Sequence, residues 1–233
     1  MQKTKFRIIL PLLISFLYLT SCNTGYEVKN GRVFYNEWNE GTGSHHSLIR
    51  GADAKTFKIL KHKSYAKDES YAYFKGDIIK GADPATFESI LDYYAKDIHH
   101  GFYEEKLLVN SDGNSFEVIN DGPYSNDKND YYYNAAKINV SDYKSFRILD
   151  DSWSKDKSFY YIQASSVVIY KYPLADYDSF KLLEGGYAKD KFKVYYYGDI
   201  VNEADNRTFK VMDFAEGKDK NNCYHGNKIS NCK

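Results

Sequence analysis

An all-β fold built from tandem repeats of about 29–30 residues, a period in the range of stacked repeat architectures, is expected for this chain on three observations. Aromatic side chains make up 17% of its 233 residues, with 24 Tyr and 14 Phe against 4 Pro. Rings suit a pleated, half-buried surface, and so much apolar ring surface excludes a disordered polymer. Phe57, Phe87, Phe116, Phe146, Phe180 and Phe209 recur at successive steps of 30, 29, 30, 34 and 29. Asp68, Asp97, Asp127, Asp156, Asp190 and Asp219 keep almost the same steps, and five residues after each stands an aromatic: Tyr73, Phe102, Tyr132, Tyr161, Tyr195 and Tyr224. A fixed period of this size is the sequence signature of a repeat architecture. The balance of 32 basic and 32 acidic side chains excludes a nucleic-acid binder, which needs a cationic surplus to neutralise phosphates.

The amino terminus reads as an address. Lys3, Lys5 and Arg7 precede an uninterrupted, charge-free apolar run from Ile8 to Leu19, the anatomy of a secretory signal. A membrane-spanning helix needs about 20 apolar residues, so the run is too short to span. It ends Leu19-Thr20-Ser21-Cys22, which resembles the lipobox of bacterial lipoproteins. The resemblance implies a signal peptide over 1–21, cleavage before Cys22, and lipid on the Cys22 thiol and often on the new amino group. Two or three acyl chains, such as diacylglycerol and palmitate, make a stable anchor where one does not. An ordinary cleaved signal with Cys22 as a spare thiol is the alternative. Residues 22–28 would be a lipidated tether, and 29–233 the repeat domain, with 29 basic and 32 acidic groups from residue 22 onward.

Within one unit, Phe and an aliphatic stand two apart, as in Phe57/Ile59, Phe146/Ile148 and Phe209/Val211, so each pair faces one side of a strand. Asp-x-x-Ser/Thr before each Phe, as in Asp53 to Thr56, reads as a turn, because an Asp side chain bonds backbone N–H groups two or three residues on. The Tyr-Tyr segments form a second strand. Gly76-Asp77 and Gly198-Asp199 are expected as tight turns into a third, Ile78-Ile79 and Ile200-Val201. About three short strands per unit result, with a degenerate first copy around Val33-Phe34-Tyr35.

Asp127-Lys128-Asn129-Asp130-Tyr131-Tyr132 resembles the signature of the bacterial DKNYY repeat family, as do Asp190-Lys191 with Tyr195-Tyr196 and the preceding Tyr-Ala-Lys-Asp runs. Glu69 and Ile98 replace the signature Lys, and Lys29 stands where the first copy would have its Asp. The family implies an exported or lipid-anchored protein and no particular activity.

A unit of this size cannot bury its aromatic face alone, so neighbours must stack. An open stack of hairpins is expected, with a closed propeller-like ring as the alternative; propeller blades ordinarily use about 40 residues and four strands. The end is read as a capping hairpin over 219–233, closed by a Cys223–Cys232 disulfide. Export exposes thiols to oxidation, and a bridge closing about ten residues contributes roughly 2–3 kcal/mol in the chain-entropy model. Two free thiols or a metal are the alternatives.

Sites of chemistry are sparse. Asn110-x-Asp112-x-Asn114 with Asp121 resembles a calcium loop, but Ser115 stands where that loop needs Gly, and a structural turn is the expectation. His99-His100, read at a strand entry, would point to opposite faces. No metal, cofactor or catalytic residue is therefore expected. Insertions of nine residues before Phe57 and five before Phe180 break the period. The first holds Trp38, His45 and His46, the candidate partner-binding residues, since insertions in repeat arrays often lie on the binding face. Deleting Asn39 to Ser47 is expected to leave melting nearly unchanged. The function expected is a nonenzymatic, lipid-anchored interaction module of the bacterial envelope, bound to the membrane through lipid and to an envelope protein. Glycan binding through exposed aromatics is the alternative, and an enzyme built around His45 or His46 a third reading.

Overall fold

The structure is a computed structural model that describes residues 24–150, 152–165, 168–172 and 176–232. These described residues form seven small antiparallel sheets in chain order, none closed into a barrel. The first has three strands, Gly25–Lys29, Arg32–Asn39 and Gly43–Leu48. The second has four, Lys58–Ile59, Tyr65–Lys67, Ala72–Phe74 and Asp77–Ile78, each paired with the next in sequence. Five further four-stranded sheets lie within 88–107, 117–138, 147–172, 181–200 and 210–230.

The strand beyond the expected three is the Tyr-Ala-Lys run, the second of each unit. Four strands fit into one period because the two edge strands are commonly only two residues long. Strand number therefore does not separate an open stack from a ring, and the core does. Six buried clusters fill the spaces between consecutive sheets. Seven sheets closed in a ring would share seven such spaces. Among the described residues no cluster joins the first sheet to the last, and the hydrogen bonds between units link sequence neighbours.

Each space is filled by the same wedge. The periodic Phe enters between an aromatic of the preceding unit, on its second strand at Phe87, Phe116, Phe180 and Phe209, and the third-strand aromatic of its own. Phe57 meets Tyr26 of the first strand instead, and Phe146 meets the third-strand Tyr131. Phe87 lies 5.9 Å from Tyr65 and 5.4 Å from Phe102 between ring centres; Phe209 lies 5.1 Å from Tyr187 and 5.8 Å from Tyr224. Tilted and edge-on pairs at these separations add favourable ring contacts to the area buried. The middle of the second strand must be small to admit this ring. Ala66, Ala95, Ser125, Ser154 and Ala188 are buried there, and in the last unit a Cβ on Gly217 would stand 2.4 Å from Phe209. The aliphatic partner two after Phe is half-buried at Val118, Ile148, Leu182 and Val211, whereas Ile59 is exposed. The hairpin turns centre one residue earlier than expected. Lys75 and Gly76 have φ of 46° and 93°, Tyr197 and Gly198 44° and 89°, the two left-handed residues of a type I′ turn, so Asp77 and Asp199 already begin the last strand.

The outer face of the last sheet is polar. Where the preceding unit turns Tyr187, Tyr196 and Val201 toward its neighbour, the last carries Glu216, His225 and Ser230, with His225 Nδ1 3.1 Å from Glu216. A polar outer face is what the terminal repeat of a stack requires.

Candidate functional site

The repeated Asp is the hub of each unit, and its geometry shows what the repetition is for. Asp156 is buried. Its Oδ1 accepts the N–H groups of Ser158 and Phe159 at 2.7 and 2.8 Å, which closes the turn between the second and third strands. Its Oδ2 accepts the N–H groups of Ser141 and Asp142 and, at 2.6 Å, the Tyr161 hydroxyl. One carboxylate thus ties its own turn, the turn leading into its unit, and the ring five residues on. Asp68, Asp127, Asp190 and Asp219 do the same with Tyr73, Tyr132, Tyr195 and Tyr224. Burial raises the Asp156 pKa, but the Tyr161 hydroxyl and the backbone N–H groups outweigh it and hold the group below the usual carboxylate range. Burial and the neighbouring carboxylate push the Tyr73 hydroxyl well up. The third unit carries Phe102 in place of the Tyr, and among the described residues the hydrogen-bond donors to Asp97 there are the backbone N–H groups of Asp83, His99 and His100, with His100 Nδ1 4.0 Å away.

The Lys after this Asp has an equally local task. Lys128, Lys157 and Lys220 pair with the turn carboxylates Asp112, Asp142 and Asp205 at 2.6–2.7 Å, and Lys191 pairs with Asp176. The lysine hydrogen bond draws the Asp112 and Asp142 pKa down to about 2. Those turn carboxylates also hold the Ser or Thr whose oxygen accepts the N–H of the residue after the buried Asp, as in Ser115 to Lys128 and Thr208 to Lys220. The repeated Asp, Lys and Tyr are therefore engaged in folding each unit.

Asp112 closes its turn through Ser115 and Lys128, while Asp121 lines a separate groove with His62 and Tyr93. His99 and His100 lie in a turn rather than a strand, because both their N–H groups are needed by Asp97. Among the described residues no group of three or more His, Cys, Asp or Glu is arranged to hold a metal ion.

The first insertion extends a regular hairpin rather than forming a slack loop. Trp38 pairs with Ser44, Glu37 with His45 and Asn36 with His46. Trp38 is half exposed. His46 stacks on Phe34 at 4.3 Å, and its Nδ1 bonds Asn36 and lies 4.0 Å from Glu27; His45 bonds Thr42 at 2.7 Å. Trp38 and His46 share the outer face of the first sheet, and His45 turns to the other, so the three do not converge. Ser47 pairs with the buried Tyr35, so a deletion through Ser47 removes packed structure and is expected to lower stability. The second insertion likewise lengthens the hairpin of strands Tyr160–Ser165 and Val168–Tyr172, with a bulge between Gln163 and Ser165.

Cys22 lies outside the described residues. Cys223 and Cys232 stand at disulfide distance, Sγ to Sγ 2.06 Å, on the outer face of the last sheet. Alkylation of the unreduced protein followed by mass spectrometry should find both unmodified; two alkylated cysteines at 223 and 232 would remove the staple.

The residue overlooked in the sequence is the Lys of Tyr-Ala-Lys. Lys67 Nζ donates to the carbonyls of Phe87 and Ala85 at 2.9 and 3.4 Å, and Lys189 Nζ to that of Asn206 at 3.1 Å, so each grips the turn of the following unit. Its recurrence two residues after a buried Tyr was the available signal.

The family model described as the DKNYY family matches residues 26–165 and 166–228. No curated protein matches the chain, and no solved structure does.

Proposed function

This chain belongs to the DKNYY family, and we propose that it is a lipid-anchored protein of the bacterial envelope whose repeat array binds a protein partner without catalysing a reaction. The observation that carries this reading is the use made of the repeated polar groups. Six copies of one Asp, five of them with a Tyr, are spent on turns and on stacking, which leaves the outer surfaces of the array for recognition. Stacked repeats give extended surfaces of this kind. The exposed rings Tyr71, Tyr93, Phe159, Phe192, Tyr197 and Phe214 stand at several different offsets from the repeated Asp rather than at one, which favours a protein over a glycan. The anchor rests on the junction Leu19-Thr20-Ser21-Cys22.

Crosslinking in intact cells tests both halves. The native chain is expected in the membrane fraction with a crosslinked adduct that protease shortens and glycosidases do not. Cys22→Ser should lose incorporated lipid and leave that fraction. A Cys22→Ser protein that still sediments with membranes refutes the anchor, and an adduct trimmed by glycosidases alone refutes the protein partner.

A further inference from the structure

The lysine that grips the next turn is repeated in the last sheet, and its surroundings there differ. Lys218 corresponds to Lys67 and Lys189, and its side chain has no hydrogen-bond or ionic partner among the described residues. It pairs in register with Lys210, as Lys67 does with Lys58 and Lys189 with Lys181, and like charges directly opposite on neighbouring strands are destabilising. The inner lysines have the following turn's carbonyls as partners, and Lys218 does not. Both line a groove of about 660 Å³ with Arg207, Lys220, Met212 and Lys189. Lys220 is neutralised by Asp205, and Lys189 is bound to the Asn206 carbonyl. Arg207, Lys210 and Lys218 remain as three exposed cations with no ion pair among the described residues, beside Met212, which is 65% exposed. The carboxylate in the lining, Asp219, is buried and taken up by backbone N–H groups and the Tyr224 hydroxyl.

An inner groove shows what packs against such a row of cations. The matching one between the second and third sheets is lined by Lys55, Thr56, Lys58 and Lys67, and its far wall is Pro84 and Ala85 of the following turn. There a peptide turn packs beside the cations, and carbonyl oxygens of that turn and the strand it leads into accept from Lys67. The 207–220 groove repeats the cations and lacks a carboxylate of the inner one, since Lys220, itself paired with Asp205, stands where the inner groove has Glu69.

We propose that the groove of Arg207, Lys210 and Lys218 docks an acidic peptide segment of the partner protein, taken up in the manner of an inner turn. The assignment rests on the protein-binding function above and names the surface that carries it. Carboxylates on such a segment relieve the Lys210–Lys218 repulsion with charge-assisted hydrogen bonds, its carbonyls take the place of those of Ala85 and Phe87, and an apolar residue covers Met212.

The probe is a labelled peptide copying Gly81–Glu88 with Asp at the positions of Pro84 and Ala85, titrated into the mature protein and followed by fluorescence anisotropy. Saturable binding that weakens with added salt is expected, and Lys210→Gln with Lys218→Gln should weaken it about tenfold or more. Lys80→Gln with Lys106→Gln, exposed cations elsewhere, should leave it unchanged. All four lysines are exposed, and matching thermal melts confirm that the variants fold. Absence of binding, equal binding by both double variants, or binding of inorganic polyphosphate in place of the peptide overturns the proposal. If the Lys210/Lys218 variant keeps the crosslinked protein adduct in cells, the groove assignment falls while the protein-binding reading stands.

Discussion

Raising the pH above about 10 should unfold this protein cooperatively, with tyrosinate absorbance and loss of the β-sheet circular dichroism appearing in one step. A free tyrosine ionises near pH 10. In the array, burial raises the hydroxyls of Tyr26, Tyr65 and Tyr94 far above that and pushes that of Tyr187 up to about 12. Because these folded-state values are raised, the stability linked to them is complete below pH 10 and is lost as the pH climbs from there toward the folded values. One pH unit above the unfolded pKa, each group held neutral costs about 1.4 kcal/mol. Tyr26, Tyr65 and Tyr94 together then remove about 4 kcal/mol at pH 11, a large part of the 5–15 kcal/mol typical of a domain. The hydroxyls also serve as donors, Tyr65 to the Glu104 carbonyl and Tyr94 to that of Pro123, and ionisation ends both bonds. A gradual tyrosine titration centred near pH 10 with circular dichroism intact would show that the rings are not sealed between sheets.

The period was legible because the same steric problem is solved six times. A Phe wedge needs a ring on either side and a small residue beneath it, so Phe, Tyr and Ala or Ser recur at fixed distances. What stayed hidden has physical causes as well. The Tyr65–Lys67 strand is three residues long, too short for alternation to separate it from a turn, and its pairing depends on neighbours distant from the local pattern. The first insertion has Asn39, Gly41 and Gly43 at its tip and reads as a loop, yet its arms Arg32–Asn39 and Gly43–Leu48 pair as one regular ladder. The signature lysines are the clearest division. Lys128 stands beside the Asp that names the motif, but its partner Asp112 lies 16 residues earlier, and only the folded turn brings the two charges together. Trp38, His45 and His46 stand out in the sequence as a departure from the period, whereas the groove around Lys218 does not, because its lysines look like every other copy until the contacts of the following turn are compared.

Phe146→Ala should be the most damaging single truncation, because it removes the wedge from the middle of the array. Phe146 is buried between the fourth and fifth sheets, 4.4 Å from the Tyr131 ring and 5.8 Å from Tyr161, within a cluster that also holds Tyr124, Tyr133 and Ile138. Truncating a buried Phe costs about 3–5 kcal/mol. In a stack whose units touch only their neighbours, stability is the sum of unit and interface contributions, so the loss falls on one interface and uncouples the sheets on its two sides. Denaturant unfolding of the native protein is expected as one transition; that of Phe146→Ala should separate into two, or show a reduced slope, since the slope follows the surface exposed in each step. Phe209→Ala offers the contrast. Its ring contacts Tyr187 and Tyr224 between the sixth and seventh sheets, so its truncation releases the last sheet and leaves the main transition in place. If Phe146→Ala instead unfolds with the native slope and within about 1 kcal/mol of native stability, the Phe wedge does not couple the units.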